Sequence, residues 1–143
     1  MTNVAQVIQD KIEQTIFTIS PEATVLEAIS LMADKGIGAL VVTEQEKVVG
    51  ILSERDYMRK VTLMERRSEE TTVSEIMTAK VLTVTKSTSV EDCLGLMTDR
   101  HLRHLPVVEN DKLIGLISIG DLVKAVMEDQ RKLIDQLQQY IAS

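Results

Sequence analysis

The chain of 143 residues is long enough to bury a core without metal or disulfide crosslinks, and its 44% hydrophobic content is typical of a globular domain. Only 2% of the residues are aromatic, so the core must be aliphatic and few rings remain to stack on single-stranded nucleic acid. A formal net charge of −6 argues against a broad basic surface for phosphates, and we expect no nucleic-acid partner.

The cysteine content and the N-terminal sequence limit the possible crosslinks, metal sites and cellular location of the protein. Cys93 is the single cysteine, which excludes an internal disulfide and a multi-cysteine metal site. The sequence begins MTNVAQVIQDKIEQ, without the basic region and apolar run of a signal peptide, and it contains no apolar run long enough to cross a membrane. We therefore expect a cytoplasmic protein that is not inserted in a membrane.

The chain contains an internal duplication. Residues 18–61 align without a gap with residues 83–126, and about thirteen of the forty-four aligned positions are identical. Residues 4–8 also resemble residues 73–77, at a slightly larger offset. We predict a first unit with an N-terminal helix at 1–66, a second unit at 67–128 and a C-terminal helical extension at 129–143, the two units forming one globular module.

Each unit shows the same succession of predicted elements. A short strand leads into a helix of capping-box form at Thr24 or Ser89, and two strands joined by a polar turn, EQEK or ENDK, precede a second helix. The predicted strands are 17–19, 39–43 and 48–52 in the first unit and 82–84, 105–108 and 113–117 in the second. Residues 64–72 are polar and aperiodic, and we assign them to the connector.

The C-terminal segment carries apolar residues at helical spacing beyond the end of the repeat, interrupted by Gln130. The stripe comprises Leu122, Val123, Val126, Met127, Leu133, Ile134, Leu137 and Ile141. Such a helix can pack on the N-terminal helix or on a second subunit, or it can simply cover the core.

Both repeats keep Ser-x-x-Asp, at Ser53 and Asp56 and again at Ser118 and Asp121, three residues after a glycine. One interpretation is a capping box that starts a helix. The other is a ligand site, because a serine hydroxyl and free helix amides bind phosphate and a carboxylate accepts hydrogen bonds from a sugar diol. On the second interpretation, Gly50 and Gly115 let a ligand approach the backbone.

These motifs resemble a tandem pair of CBS domains, the module named after cystathionine beta-synthase. The resemblance rests on the two Gly-x-x-Ser-x-x-Asp endings, on VSEIM at residues 73–77, on the TVLEAISLM and SVEDCLGLM helices, and on HLRHLPVVENDKLIGLISIGDLVK at residues 101–124. It implies an α/β (α+β) fold of two β-α-β-β-α units packed about a pseudo-twofold axis, with added N- and C-terminal helices.

The resemblance further implies clefts that bind an adenine nucleotide, with AMP expected and ADP, ATP, NAD or S-adenosylmethionine as alternatives, and with no metal required. Asp56 and Asp121 would bind ribose hydroxyls, while Ser53 and Ser118 would contact ribose or phosphate. Arg55 would be a further phosphate ligand, and Gly120 would give room in the second cleft. The residues implied to flank the base or reach the phosphates are Thr18, Ile37, Gly38, Ala39, Thr83, Leu102, Arg103, His104 and Pro106.

The two clefts should differ, because Gly38-Ala39 stands where the second repeat has Arg103-His104. We expect the second cleft to be richer in positive charge. Arg59 and Lys60 fit a solvated helix face. His101 and His104 lack further ligands at zinc spacing, and Cys93 fits a small buried hydrophobe.

The sequence therefore predicts a nucleotide-sensing regulatory module that forms a homodimer and signals to an effector protein. A structural dimerisation module without a ligand is the alternative, and an enzyme acting on nucleotides is a weaker one.

Overall fold

The computed structural model describes residues 2–11 and 16–142 and has a mixed α/β architecture. In chain order the helices and strands are α1 (Val4–Gln9), β1 (Thr18–Ile19), α2 (Val25–Lys35), β2 (Ala39–Glu44), β3 (Lys47–Ser53), α3 (Glu54–Tyr57), a π-helical turn (Met58–Thr62), α4 (Val73–Ile76), α5 (Val90–Arg100), β4 (His104–Glu109), β5 (Lys112–Ser118) and α6 (Ile119–Ala142). The predicted fold class, two repeated units with an additional helix at each end, is confirmed.

The strands form a three-stranded sheet in the order β1-β2-β3 and a two-stranded sheet of β4 and β5. β1 is parallel to β2, with Thr18 opposite Val41, and β2 is antiparallel to β3. Both predicted polar turns are present, and their central residues have positive φ, at Gln45 and Glu46 and at Asn110 and Asp111. Two successive positive-φ residues give the tight turn whose twist matches that of the flanking strands.

Two predicted local structures are only partly formed. The strand predicted at 82–84 is reduced to a single parallel bridge between Val84 and Val107. At Thr24 and Ser89 the hydroxyl accepts a hydrogen bond from the N3 backbone N–H, of Glu27 and Asp92 respectively. These helices thus have the hydroxyl half of the predicted capping box.

The chain divides into two compact units. The first-repeat unit comprises Thr15–Leu82 and Asn110–Ile114, and the second-repeat unit comprises Met1–Gln14, Thr83–Glu109 and Gly115–Ser143. The N-terminal helix α1, which the sequence boundaries place with the first repeat, therefore belongs to the second-repeat unit. In the same way, α4 precedes the second repeat in sequence and lies in the first-repeat unit.

The same backbone hydrogen bonds dock α1 and α4 in their respective units. In the second-repeat unit the Val4 N–H donates to the Thr88 carbonyl (2.9 Å) and the Val90 N–H to the Thr2 carbonyl (3.2 Å). The matching bonds of the first-repeat unit join Val73 to Ala23 and Val25 to Thr71, each at 2.8 Å. In each pair of bonds, one donor is the first amide of the docked helix and the other is the first amide of α5 or α2, and such N-terminal amides lack partners within their own helices.

Each unit has its own aliphatic core, to which the docked helix contributes. The first-repeat core contains Val73 and Ile76 of α4 together with Val25, Ala28, Met32, Leu40, Val42, Leu52 and Val61. In the second-repeat unit the corresponding buried residues are Val4, Val7, Val90, Cys93, Met97, Leu105, Val107 and Ile117. Cys93 is fully buried at the position of Ala28, as expected for a small hydrophobe.

The interpretation of Gly50 and Gly115 as points of ligand approach is wrong, because both glycines face a docked segment. A Cβ on Gly50 would lie 2.9 Å from Met77 Cγ and 3.2 Å from the Thr78 carbonyl oxygen. A Cβ on Gly115 would lie 3.1 Å from Cδ1 of Ile8, which is the counterpart of Met77. The glycines allow the segments containing α1 and α4 to pack closely against β5 and β3.

The C-terminal stripe lies on one continuous helix, since α6 runs through Gln130 without a break. Its first half contacts α1 and α5, and the Thr2 hydroxyl donates to Asp129 (2.6 Å). Beyond that point Leu133, Ile134 and Leu137 are more than half exposed. The C-terminal half of α6 therefore does not cover the core of the chain. Within the described ranges, no helix is long and apolar enough to cross a membrane.

We predict that Gly50→Ala lowers the free energy of unfolding by about 1 to 3 kcal/mol, the usual cost of overpacking. Gly95→Ala is the matched control, because nothing lies within 4 Å of its added Cβ inside α5 and the change should stabilise the helix by about 1 kcal/mol. Urea denaturation of both variants measures this, and equal stability of the two would contradict it.

Candidate functional site

The first-repeat site is built on the turn from β3 into α3. The Asp56 N–H donates to Ser53 Oγ (3.2 Å), and the Ser53 N–H donates in return to Asp56 Oδ2 (3.0 Å). The Ser53 hydroxyl also donates to Asp56 Oδ2 (3.1 Å). The capping box is therefore real, and it fixes a carboxylate whose side chain is 14% exposed.

The second-repeat site repeats this geometry at the turn from β5 into α6. The Asp121 N–H donates to Ser118 Oγ (3.2 Å), and the Ser118 N–H donates to Asp121 Oδ2 (2.8 Å). The Asp121 side chain is 24% exposed. In both repeats, capping therefore orients a carboxylate that keeps access to solvent.

A second feature shared by the two repeats is a backbone hydrogen bond between the Ser–Asp turn and the loop that precedes β2 or β4. The Glu54 N–H donates to the Gly38 carbonyl, and the Ile119 N–H donates to the Arg103 carbonyl, each at 3.0 Å. Gly38, Ser53 and Asp56 thus come together in one unit, and Arg103, Ser118 and Asp121 in the other.

The remaining predicted residues of the first-repeat site surround this turn to different degrees. Ala39 pairs with Ser53 in the sheet but is only 3% exposed. Ile37 is half-buried, and its N–H donates to the Met32 carbonyl at the end of α2. Thr18 and Arg55 are exposed, with Thr18 on β1 opposite Val41. The side chain of Ala39 therefore offers a ligand little surface.

The remaining second-repeat residues follow the same plan. Leu102 is half-buried and donates to the Met97 carbonyl, as Ile37 does to Met32. His104 is half-buried at the start of β4, whereas Pro106 is buried and its carbonyl accepts from the Val84 N–H (3.0 Å). Thr83 is exposed. Gly120 is exposed and lines a groove along α6 with Val123, Lys124, Met127, Glu128 and Arg131.

A lysine contacts the aspartate in each site, and sequence reasoning did not assign either lysine to it. Lys60, whose side chain is 45% exposed, lies 3.4 Å from Asp56 Oδ1 and donates to the Ile76 carbonyl (3.0 Å), so it contacts the site as well as solvent. Lys11 donates to Asp121 Oδ2 (2.7 Å). Lys11 aligns with Lys80 at the offset that relates residues 4–8 to 73–77, but Lys80 is exposed, so the alignment does not identify the Lys11 contact.

The two sites carry different charges beside the backbone hydrogen bond that joins the turn to the preceding loop. The Glu54 carboxylate lies over Gly38, with Oε1 3.6 Å from the position of a Cβ there. The second repeat has the apolar Ile119 in place of Glu54, and Arg103 in place of Gly38. Sequence reasoning named the variable residues but missed that Glu54 itself faces the loop of the first-repeat site.

The titration of the second-repeat site reflects this environment. Burial alone would raise the pKa of Asp121, but hydrogen bonds from Lys11 and from the Ser118 backbone outweigh it and lower the pKa below its ordinary value. Burial lowers the pKa of His104, and the positive charges of Lys11 and Arg103 add to the effect, opposed by Asp121. At neutral pH the site therefore holds an ionised aspartate beside a neutral histidine.

Across residues 2–11 and 16–142, no cluster of three or more His, Cys, Asp or Glu side chains is placed to hold a metal ion. Burial, with a smaller effect of Asp92, raises the pKa of the Cys93 thiol. A buried thiol with a raised pKa is a poor nucleophile.

Together these features define a tandem-repeat α/β protein in which each repeat ends in an oriented Ser–Asp pair. The CBS domain model matches residues 5–62 and 73–128, and the chain belongs to the CBS domain family. The resemblance inferred from the sequence is thereby confirmed.

Known relatives include small proteins of the same family. A putative signal-transduction protein with CBS domains from Burkholderia ambifaria is 53% identical, with a TM-score of 0.85 over 90% of this chain and 96% of that one. The Arabidopsis thaliana protein CBSX3, mitochondrial, is 43% identical over 82% of this chain, which spans 60% of its length. A structure of CBSX2 in complex with AMP is 25% identical, with a TM-score of 0.75 over 91% of this chain and 99% of that one.

We predict that His104 makes the protein less stable as the pH falls below about 6.5, the value at which the unfolded chain takes up the proton. Because the folded pKa is lower, the native state resists protonation and the unfolded state gains. Stability should rise with pH through this window and level off above it. The window lies above the pH range in which Asp121 titrates.

Thermal melts between about pH 5 and 8 measure the effect. His104→Gln should flatten the pH dependence, whereas His101→Asn, a change at the exposed histidine that ends α5 with positive φ, should preserve it. Identical slopes for the two variants would contradict the assignment.

Proposed function

We propose that this CBS-domain pair is a regulatory module that binds an adenine nucleotide, with AMP as the expected ligand. The observation that carries the proposal is the oriented, solvent-accessible carboxylate held by reciprocal serine bonds in the same place in both repeats. Such a carboxylate is suited to accept two hydrogen bonds from a ribose diol.

The AMP complex of CBSX2 supports this choice of ligand, because that protein shares the fold over nearly its whole length. ADP, ATP, NAD and S-adenosylmethionine carry the same adenosine group and remain alternatives. The ribose ligands would be Asp56 and Asp121. The serines, the loop residues around Gly38 and Arg103, and Arg55 would contact the base or the phosphates.

The two sites should differ in their preference for phosphate. Glu54 places a negative charge next to Gly38 in the first-repeat site, whereas Arg103, His104 and Lys11 lie in the second-repeat unit near Asp121. Arginine pairs with phosphate through two parallel hydrogen bonds. We therefore expect the second-repeat site to bind anionic nucleotides more tightly.

The module would act through binding rather than catalysis. A nucleotide that prefers one arrangement of the chain shifts the population toward it, and an effector protein that recognises that arrangement reads the change. The effector would be a separate polypeptide or a further domain outside these residues.

We predict that Asp121→Asn weakens AMP binding at the second-repeat site about ten- to hundredfold, the usual range for losing a charged hydrogen bond. Asp56→Asn should do the same for the first-repeat site. Isothermal titration calorimetry with AMP measures both, and ATP, NAD and S-adenosylmethionine are titrated in parallel.

Asp92→Asn is the matched control. Asp92 occupies the same N3 position after a capping serine, on the exposed surface of α5 and outside both sites. It should bind AMP like the wild type. Wild-type protein that binds none of the four ligands would overturn the proposed function.

The second proposal is a homodimer formed through α6, and the exposed apolar face of that helix supports it. Met127, Ile134 and Ile141 are spaced seven residues apart, as are Val123, Gln130 and Leu137, and the apolar members are 46% to 80% exposed. A heptad spacing of this kind fits the seam between two like helices, and a central polar residue such as Gln130 fixes their register. The expected partner is therefore a second copy of the chain.

We predict that Leu137→Glu shifts the protein to the monomer in sedimentation velocity, because the change buries a charge in the seam. Gln138→Glu adds the same charge at the next residue, which belongs to neither of the two series spaced by seven, and it should leave the dimer intact. A wild-type monomer would overturn the dimer proposal. A dimer without nucleotide binding would instead favour a purely structural module.

A further inference from the structure

The strands that precede the two Ser–Asp turns, β3 and β5, each accept a hydrogen bond from the segment that follows α4 or α1. The donor is a backbone N–H in the first-repeat unit and a side chain in the second. In the first-repeat unit Ile51 and Thr78 exchange backbone hydrogen bonds, 3.0 and 2.9 Å long. The residue that corresponds to Ile51 in the second repeat is Leu116, and its carbonyl accepts from the Lys11 ammonium group at 2.8 Å. A side chain thus replaces the backbone donor.

The same ammonium group also donates a hydrogen bond to Asp121, the aspartate of the second-repeat site. Lys11 Nζ lies 2.7 Å from Asp121 Oδ2, and both side chains are only 24% exposed. The Ser118 N–H uses the same oxygen. Since both of these bonds go to Oδ2, Oδ1 is the oxygen left for a ligand.

The lysine of the first-repeat site contacts its aspartate differently. Lys60 approaches Asp56 at 3.4 Å, on Oδ1, from a side chain that is 45% exposed. Its contact is longer and its ammonium group is more open to solvent, although the Asp56 side chain is only 14% exposed against 24% for Asp121. Lys11 makes a short, charge-assisted bond, which is the stronger kind.

We propose that Lys11 is a positioning residue of the second-repeat site, holding Asp121 with Oδ1 directed to the ribose diol and coupling nucleotide binding to the docking of the N-terminal segment. The inference rests on the proposed function. It assigns to the second-repeat site a residue that lies outside the Ser-x-x-Asp motif. Through this residue the N-terminal segment can influence nucleotide binding at that site.

The charges around Asp121 agree with this role. Burial alone would favour the protonated carboxyl of Asp121, and hydrogen bonds from Lys11 and Ser118 outweigh it. The charged groups that act on its neighbour His104 are Lys11, Asp121 and Arg103. Removing the Lys11 charge therefore raises the pKa of Asp121 and frees the carboxylate to rotate away from its fixed orientation. That rotation weakens the acceptance of two hydroxyl groups, while the rise in the pKa reports that the Lys11 contact is lost.

The test uses the full chain carrying Asp56→Asn, so that AMP titration reports the second-repeat site. Adding Lys11→Met should weaken AMP binding about tenfold, and Lys11→Arg, which keeps the charge, should restore most of it. Lys80→Met is the matched control, because Lys80 holds the equivalent place after α4 and is exposed. It should bind AMP like the parent.

A second readout is independent of the nucleotide. Carboxyl carbon NMR of the ligand-free protein measures the pKa of Asp121, which should rise in Lys11→Met and stay unchanged in Lys80→Met. A raised pKa with a tenfold loss of AMP affinity supports the inference. If the pKa does not move, the contact does not hold Asp121 and the inference is overturned.

The failures of the two proposals can be told apart. If the Asp56→Asn parent binds no AMP, the proposed function fails at this site, and the inference fails with it. If the parent binds AMP and Lys11→Met binds it equally well or more tightly, only the inference fails, and Lys11 then competes with the ribose.

Discussion

The close packing of a docked segment against a glycine is the constraint on which the rest of each unit depends. Gly50 and Gly115 let Met77 and Ile8 approach β3 and β5, and the matching backbone bonds at Val73 and Val4 fix those segments in place. The same strands end at the serines that start α3 and α6. The position of each aspartate is therefore set by how the preceding strand is packed.

Much of this organisation could be predicted from the sequence, since the duplication fixes equivalent positions. The hairpins, the helices after Thr24 and Ser89, and the Ser–Asp turns follow local rules of alternation, capping and turn chemistry. The role of Gly50 could not be predicted, because a glycine that faces a ligand and one that faces Met77 look alike in sequence. Close approach by a residue distant in the chain is visible only in the fold.

In the candidate sites too, contacts between residues distant in the chain could not be predicted from the sequence. Ser53, Asp56, Ser118 and Asp121 lie where the repeated motif predicts, but their lysine partners come from elsewhere. Lys60 lies one helical turn after Asp56, a spacing that could have been noted, while Lys11 is more than one hundred residues from Asp121. A duplicated motif thus predicts the shared geometry of the two sites, and the differences come from residues outside the Ser-x-x-Asp positions, where the two repeats have diverged.

The exchange of α1 and α4 separates the unit of duplication from the unit of folding. Cutting the chain in the connector between repeats would leave the first half without α4 and the second half without α1, and each fragment would expose the core positions that the missing helix fills.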